Sequence, residues 1–284
     1  MRNTVVMLVT VLALAGCKGS MTPGKMAWVQ TRSDTPRAGN AYLVRGFIGL
    51  FSHGIDELTE QINESGVRAH VFQEDQHKKL AAQLAETYRG ADEDTEPLVI
   101  IGHSYGADDV VKIARALDDA GVRVDLLITL DPTARAIVPK NVVRCVNFYQ
   151  PSIWDATPVL RGVALKTLPG APSEQLVNLN LRGERKDLLE WDTNHVNIDK
   201  NSRIHVEVVK LVLGACPPRE TWALRKHGKE SVAARTLPGP AAHSNSLAVS
   251  QTSAPVLDAP RIAKPQATAD PASGAGRASN GRAP

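Results

Sequence analysis

Between about residues 40 and 216 the chain alternates short apolar runs with stretches whose apolar residues recur three and four apart. Runs at 41–44, 67–72, 97–101, 124–130, 142–148 and 176–181 have the length and composition of strands, several of them apolar at every position. Helical spacing separates them at 55–62, at 80–88, through Val110, Ile113, Ala114 and Leu117, and at 202–213. A strand that alternates polar and apolar residues has one wet face, whereas a continuous apolar run is covered on both. The pattern therefore predicts an α/β fold, a mostly parallel sheet flanked by helices on both faces. Right-handed crossovers then place the functional loops at the C-terminal ends of the strands.

Outside that span the rhythm is lost. Arg2 precedes an apolar run from Val5 to Leu14 and the small-residue segment Leu14-Ala15-Gly16-Cys17. The run is too short to cross a bilayer as a helix and reads as a cleaved signal over 1–16. Its last four residues resemble the lipobox of bacterial lipoproteins, which implies lipidation of Cys17 and an envelope location anchored to a membrane. A plain secretory signal is the alternative. Lys18 stands where an aspartate retains some lipoproteins in the inner membrane, so outer-membrane sorting is expected in a host that has one. Residues 17–39 are polar and punctuated by Pro and Gly, as suits a tether. Residues 217–284 hold nine of the chain's 18 prolines, many Ala and Ser, and no Phe or Tyr, the composition of a disordered tail with room for a short helix around Trp222 to Lys226. That leaves 40–216 as one domain, enough chain for a single core.

Composition narrows the function classes. A net charge of +3 on 284 residues gives no footprint for nucleic acid, and no C-x-x-C or H-E-x-x-H motif suggests a metal. With Cys17 assigned to lipid, Cys145 and Cys216 remain, and an oxidising envelope permits a bridge between them without requiring one.

The chemistry concentrates in Gly102-His103-Ser104-Tyr105-Gly106, a G-x-S-x-G with a strand pattern in front and a helix pattern behind. The bare motif arises by chance in about one chain in ten of this length, so its weight rests on that context. A serine on a sharp strand-to-helix turn presents its hydroxyl at the sheet edge, and the helix N-terminus behind it offers N–H groups to a developing oxyanion. An ordinary helix N-cap serine is the alternative reading.

With this motif in that context the domain resembles a small α/β-hydrolase of the serine esterase and lipase type, a resemblance covering roughly residues 40–215. It implies a triad in the chain order nucleophile, acid, base, and here Ser104, Asp131 and His195 have that order. Asp131 closes the strand ending Thr129-Leu130 and precedes Pro132; the rival acid is Asp155, one strand later. His195 lies in the turn-forming stretch Asp192-Thr193-Asn194-His195 before the last helix, whereas His205 falls inside that helix, His103 beside the elbow and His53 after the first loop. For the oxyanion, the resemblance points to the N–H of Tyr105 and, from the loop Val44-Arg45-Gly46-Phe47-Ile48-Gly49, that of Phe47, with Ile48 as alternative. Arg45 stands where the family usually has histidine. No cofactor and no metal is implied. The expected activity is cleavage of a carboxylic ester or thioester, with a small-molecule or lipid ester as substrate. A non-catalytic binding lipoprotein on the same fold and an acyltransferase are the competing readings.

Overall fold

The structure is a computed structural model describing residues 29, 31, 33–46, 53–90, 95–151 and 161–225. Six strands form its central sheet: β1 (Asn40–Val44), β2 (Arg68–Phe72), β3 (Leu98–His103), β4 (Val124–Leu130), β6 (Val142–Tyr149) and β8 (Leu176–Asn180). Their spatial order is β2-β1-β3-β4-β6-β8, and every neighbouring pair is parallel. Helices α1 (His53–Glu64), α2 (His77–Thr87), α3 (Tyr105–Asp119) and α4 (Ser202–Ala215) supply the crossovers and cover. Each strand and helix expected from the apolar pattern is present, with ends moved by a few residues.

The pleat divides the core in two. Leu43, Ile101, Ile128 and Phe148 face one side and pack with Ile55, Leu58 and Ile62 of α1 and Ile204, Val208 and Val212 of α4. Tyr42, Val44, Ile100 and Leu127 face the other and meet Leu80 and Leu84 of α2 and Val110, Ile113 and Leu117 of α3. This two-sided burial explains why β3 reads as unbroken hydrophobicity: all six of its residues are buried. Sequestering a side chain such as Ile100 or Ile101 contributes roughly 1.5–3 kcal/mol.

Cys145 belongs to the α2/α3 side of the sheet and Cys216 to the α1/α4 side, so the sheet itself stands between them and both are free. Two further strands, β5 (Ile137–Val138) and β7 (Lys166–Thr167), pair in parallel as a separate two-residue ladder that the periodicity does not reveal.

The packed chain also extends past the expected boundaries at 39 and 216. Ala38 N–H donates to the Pro217 carbonyl and Arg219 N–H to that of Pro36, while Arg219 reaches Glu96 at 2.7 Å. Residues 219–225 are helical. That helix overlaps the one allowed around Trp222 to Lys226, whereas the docking of the segment is hidden by Pro217 and Pro218: neither can donate a backbone hydrogen bond, yet the carbonyl of Pro217 still accepts one. The proposed signal, Cys17 and the remainder of the expected tail from 226 lie outside the described residues.

Candidate active site

The nucleophile's position follows from backbone sterics. Ser104 sits between β3 and α3 with φ 56° and ψ −123°, a conformation sparsely populated by side-chain-bearing residues. What holds it there is close approach on either side. A Cβ at Gly102 would overlap the carbonyl of Gly106, and one at Gly106 would overlap the carbonyls of Val44 and Arg45. The two glycines of the motif are thus contact requirements of this turn. Ser104 N–H donates to the Leu130 carbonyl at 2.9 Å, fastening the elbow to the end of β4. Tyr105 is the first residue of α3, where a helix presents backbone N–H groups at its N-terminus.

Ser104 Oγ and His195 Nε2 are 2.9 Å apart, and both residues are buried. His195 Nδ1 stands 3.3 Å from Asp131 Oδ2. That separation is an ion-pair distance, although the ring N–H does not point squarely enough at the oxygen to make a hydrogen bond. Such contacts commonly tighten when the imidazole gains charge. The three residues expected from the sequence are therefore brought together, two from the ends of β3 and β4 and the third from the loop between β8 and α4. Asp155, Phe47 and Ile48 lie outside the described residues, as does the side chain of His53.

Asp131 is fully buried and has φ 50°, a left-handed conformation that an aspartate tolerates better than most residues. Its Oδ1 accepts the Gln150 N–H at 2.6 Å, and its own N–H donates to the Phe148 carbonyl at 2.8 Å. Gly162 packs so closely on Oδ1 that a Cβ there would overlap the carboxylate. Beyond it, Asp108 in the first turn of α3 clasps the acid loop. Its Oδ1 accepts the N–H groups of Thr133 and Ala134, each at 3.0 Å, and its Oδ2 accepts the Thr133 hydroxyl at 2.5 Å. Burial pushes the Asp108 carboxyl above its usual range. Asp108 suits the helix dipole at the first turn of α3, and its work in holding the loop after Asp131 depends on a contact 25 residues away.

The base loop is tied by amide side chains. Asn194 Oδ1 accepts the Val196 N–H, Asn197 Oδ1 the Asn194 N–H, and Asn201 Nδ2 donates to Thr193 Oγ1 at 2.7 Å. Asn201 also N-caps α4, its Oδ1 accepting from the N–H groups of Arg203 and Ile204. His205 is buried inside α4, its Nε2 donating to the Asp199 carbonyl at 2.5 Å, and takes no part in the triad.

Arg45 turns away from the elbow to form a bidentate pair with Asp56 of α1, at 2.8 and 2.7 Å. Arg45 thus ties the end of β1 to α1. Among the described residues no group of His, Cys, Asp or Glu is placed to hold a metal ion.

No family model matches the chain, and no curated protein matches it. Solved structures do. A cutinase-like protein from Cryptococcus sp. is 10% identical, with a TM-score of 0.40, over 64% of this chain and 97% of its own. An esterase from Pyrobaculum calidifontis is 11% identical, TM-score 0.39, over 75% and 88%. A lidless α/β serine hydrolase from Xanthomonas campestris is 16% identical, TM-score 0.37, over 66% and 84%. This chain also spans 46% of the length of a mutant type II thioesterase from yersiniabactin biosynthesis, at 16% identity and TM-score 0.27. In each case the similarity is one of fold.

Proposed function

We propose that this protein is a serine hydrolase that cleaves carboxylic ester or thioester bonds through an acyl-enzyme on Ser104. The observation that carries the reading is the 2.9 Å contact between Ser104 Oγ, held on a strained elbow, and His195 Nε2, with Asp131 behind the imidazole. His195 takes the hydroxyl proton as Oγ attacks the substrate carbonyl carbon, and Asp131 stabilises the imidazolium. The N–H of Tyr105 and that of Phe47 receive the oxyanion. Collapse of the tetrahedral intermediate expels the alcohol or thiol, which takes the proton from His195. Water then repeats the sequence on the acyl-enzyme and releases the acid.

Labelling with a fluorophosphonate tests the reading, because that probe modifies only an activated serine. Wild-type protein is expected to be labelled at Ser104 and to hydrolyse p-nitrophenyl esters. A folded wild-type protein left unmarked overturns the proposal in favour of a binding role. We further propose that soluble short-chain esters are cleaved without a lipid interface, since the segments that would build a lid, 132–140 and 151–172, are short. Activity confined to long-chain esters above their solubility limit would overturn that part.

The N-terminal sequence supports a lipid anchor at Cys17 that holds the enzyme in the bacterial envelope. Cys17→Ser is expected to move the protein from the membrane to the soluble fraction. Membrane-purified protein still carrying residues 1–16 would refute the assignment.

A further inference from the structure

Beside the triad lies a cavity whose positive charge the acyl-transfer steps do not use. It has a volume of about 370 Å³ and is enclosed by the acid loop, the end of β6 and the segment leading into β7. Arg135, Tyr149, Arg161, Gly162 and Lys166 are among its walls, and none of the described residues lining it is acidic. The backbone brings these groups together. Val163 N–H donates to the Pro132 carbonyl and Lys166 N–H to that of Ala136, each at 3.0 Å, so residues 163–166 run along the acid loop. Arg135 stands between those two points of attachment and shares the cavity with Lys166. Gly162, in the same wall, is the residue packed on Asp131 Oδ1.

The charges here are of an unusual kind for this fold. Arginines elsewhere spend their guanidinium groups on carboxylates: Arg45 on Asp56, Arg68 and Arg219 on Glu96, Arg185 on Asp187. Arg135 and Lys166 are both exposed, and among the described residues neither side chain has a hydrogen-bond or ion-pair partner. The carboxylates next to the acid loop are committed elsewhere, Asp131 to Gln150 and His195, Asp108 to Thr133 and Ala134. The single charge of Asp131, behind Gly162, offsets at most one of the two cations. Like charges that share a cavity repel, and an anion entering between them relieves that repulsion while protein walls focus the field on it. The planar fork of an arginine matches two oxygens of a carboxylate or phosphate, and lysine adds a point charge.

We propose that this cavity binds an anionic oxygen group, of the carboxylate or phosphate type, carried on the acyl portion of the ester substrate, with Arg135 and Lys166 as specificity-determining residues. The inference rests on the hydrolase reading. The acyl portion is indicated by the route of the leaving group, which must meet His195 Nε2 to collect its proton, whereas no described residue of the base loop lines the cavity. The acyl group instead stays on Ser104 until water releases it.

The test compares neutral p-nitrophenyl esters of increasing acyl length with mono-p-nitrophenyl esters of dicarboxylic acids of the same lengths, which add one terminal carboxylate. Wild type is expected to favour the anionic ester about tenfold in kcat/KM at the length that reaches from Ser104 to the cavity, and to lose that preference as salt is raised. Arg135→Gln and Lys166→Gln are each expected to remove much of the preference, and Arg135→Lys to keep part of it, because the charge remains and the fork does not. Inorganic phosphate separates a substrate-borne group from a free anion: it is expected to compete with the anionic ester of that length and not with the neutral series. No anionic preference at any length overturns the proposal, and phosphate acting on the neutral esters as well would then assign the cavity to a free anion. A preference that survives in the double variant Arg135→Gln/Lys166→Gln also overturns it. The wild-type comparison stands even if a variant fails to fold. Wild-type protein that cleaves neither series and is not labelled by the fluorophosphonate fails as a hydrolase, an outcome distinct from a labelled enzyme indifferent to charge.

Discussion

The elbow and the base loop deliver two atoms to within 2.9 Å of each other by different physical means. The elbow is locked by excluded volume: Gly102 and Gly106 leave the backbone no slack, and Ser104 is forced to φ 56°. The base loop is pressed against α1 only beyond the base, where a Cβ at Gly54 would overlap the Asp199 carbonyl, and around His195 itself it is held by side-chain hydrogen bonds from Asn194, Asn197 and Asn201. Steric locking fails all at once when a side chain is added. A hydrogen-bonded loop loosens one contact at a time, each with a net worth of about 0.5–1.5 kcal/mol. Nucleophile placement is thus a property of the sheet, and base placement a property of the loop's own composition.

Several changes test this difference, beginning with the largest expected effect. Ser104→Ala removes the attacking atom and is expected to lower kcat by about 10⁶ while leaving thermal stability near wild type. Asp131→Asn keeps the packing but favours the wrong imidazole tautomer, and is expected to cost about 10⁴ in kcat. If activity survives it, the acid comes from elsewhere, Asp155 first, and the Ser104 assignment still stands. Gly106→Ala drives a methyl group into the Val44 and Arg45 carbonyls. An elbow displaced by about 1 Å predicts a 10²-fold loss of kcat, with about 1–3 kcal/mol lost in a denaturant titration. A Gly106→Ala enzyme with normal turnover would show that the elbow is not locked. Asn201→Ala removes the cap of α4 and the tie to Thr193; it is expected to cost about 1 kcal/mol and to reduce kcat only modestly.

The smallest effect is a slope with pH. The Asp199 carboxyl is raised from 3.8 to about 6, so its burial cost is absent at low pH and grows as pH rises through that window. The His103 imidazole is lowered from 6.5 to about 4, so the stability tied to keeping it neutral is lost as pH falls through an overlapping window. The two trends oppose each other and flatten the wild-type curve. Asp199→Asn removes the first, so its melting temperature is expected to climb from pH 4 to 6.5 more steeply than that of wild type. Parallel curves would show that the pair does not titrate as described.

The same contrast explains which parts of the site the sequence makes legible. Ser104 stands out because a steric lock needs glycines at fixed offsets, and that requirement is local. Asp131 and His195 follow from chain order and from Pro132 and the asparagines around them. Asp108, Gln150 and Asp199 carry no local mark, since each acts on a group brought near only by the fold. Gln150 meets Asp131 across 19 residues, and Asp199 meets Gly54 across 145. The ladder of β5 and β7 escapes notice for a related reason: two-residue strands have no period. Residues 217–225 are held by isolated backbone and ion-pair contacts, with no repeating apolar face to read.

The separation of Cys145 and Cys216 by the sheet has a practical consequence. Burial pushes the Cys145 thiol far above its usual range and the Cys216 thiol up to about 12, so neither is an appreciable thiolate at neutral pH. Alkylating reagents consequently reach them only when the surrounding structure opens. One thiol is set in each half of the core, so their separate alkylation rates time the opening of the two faces.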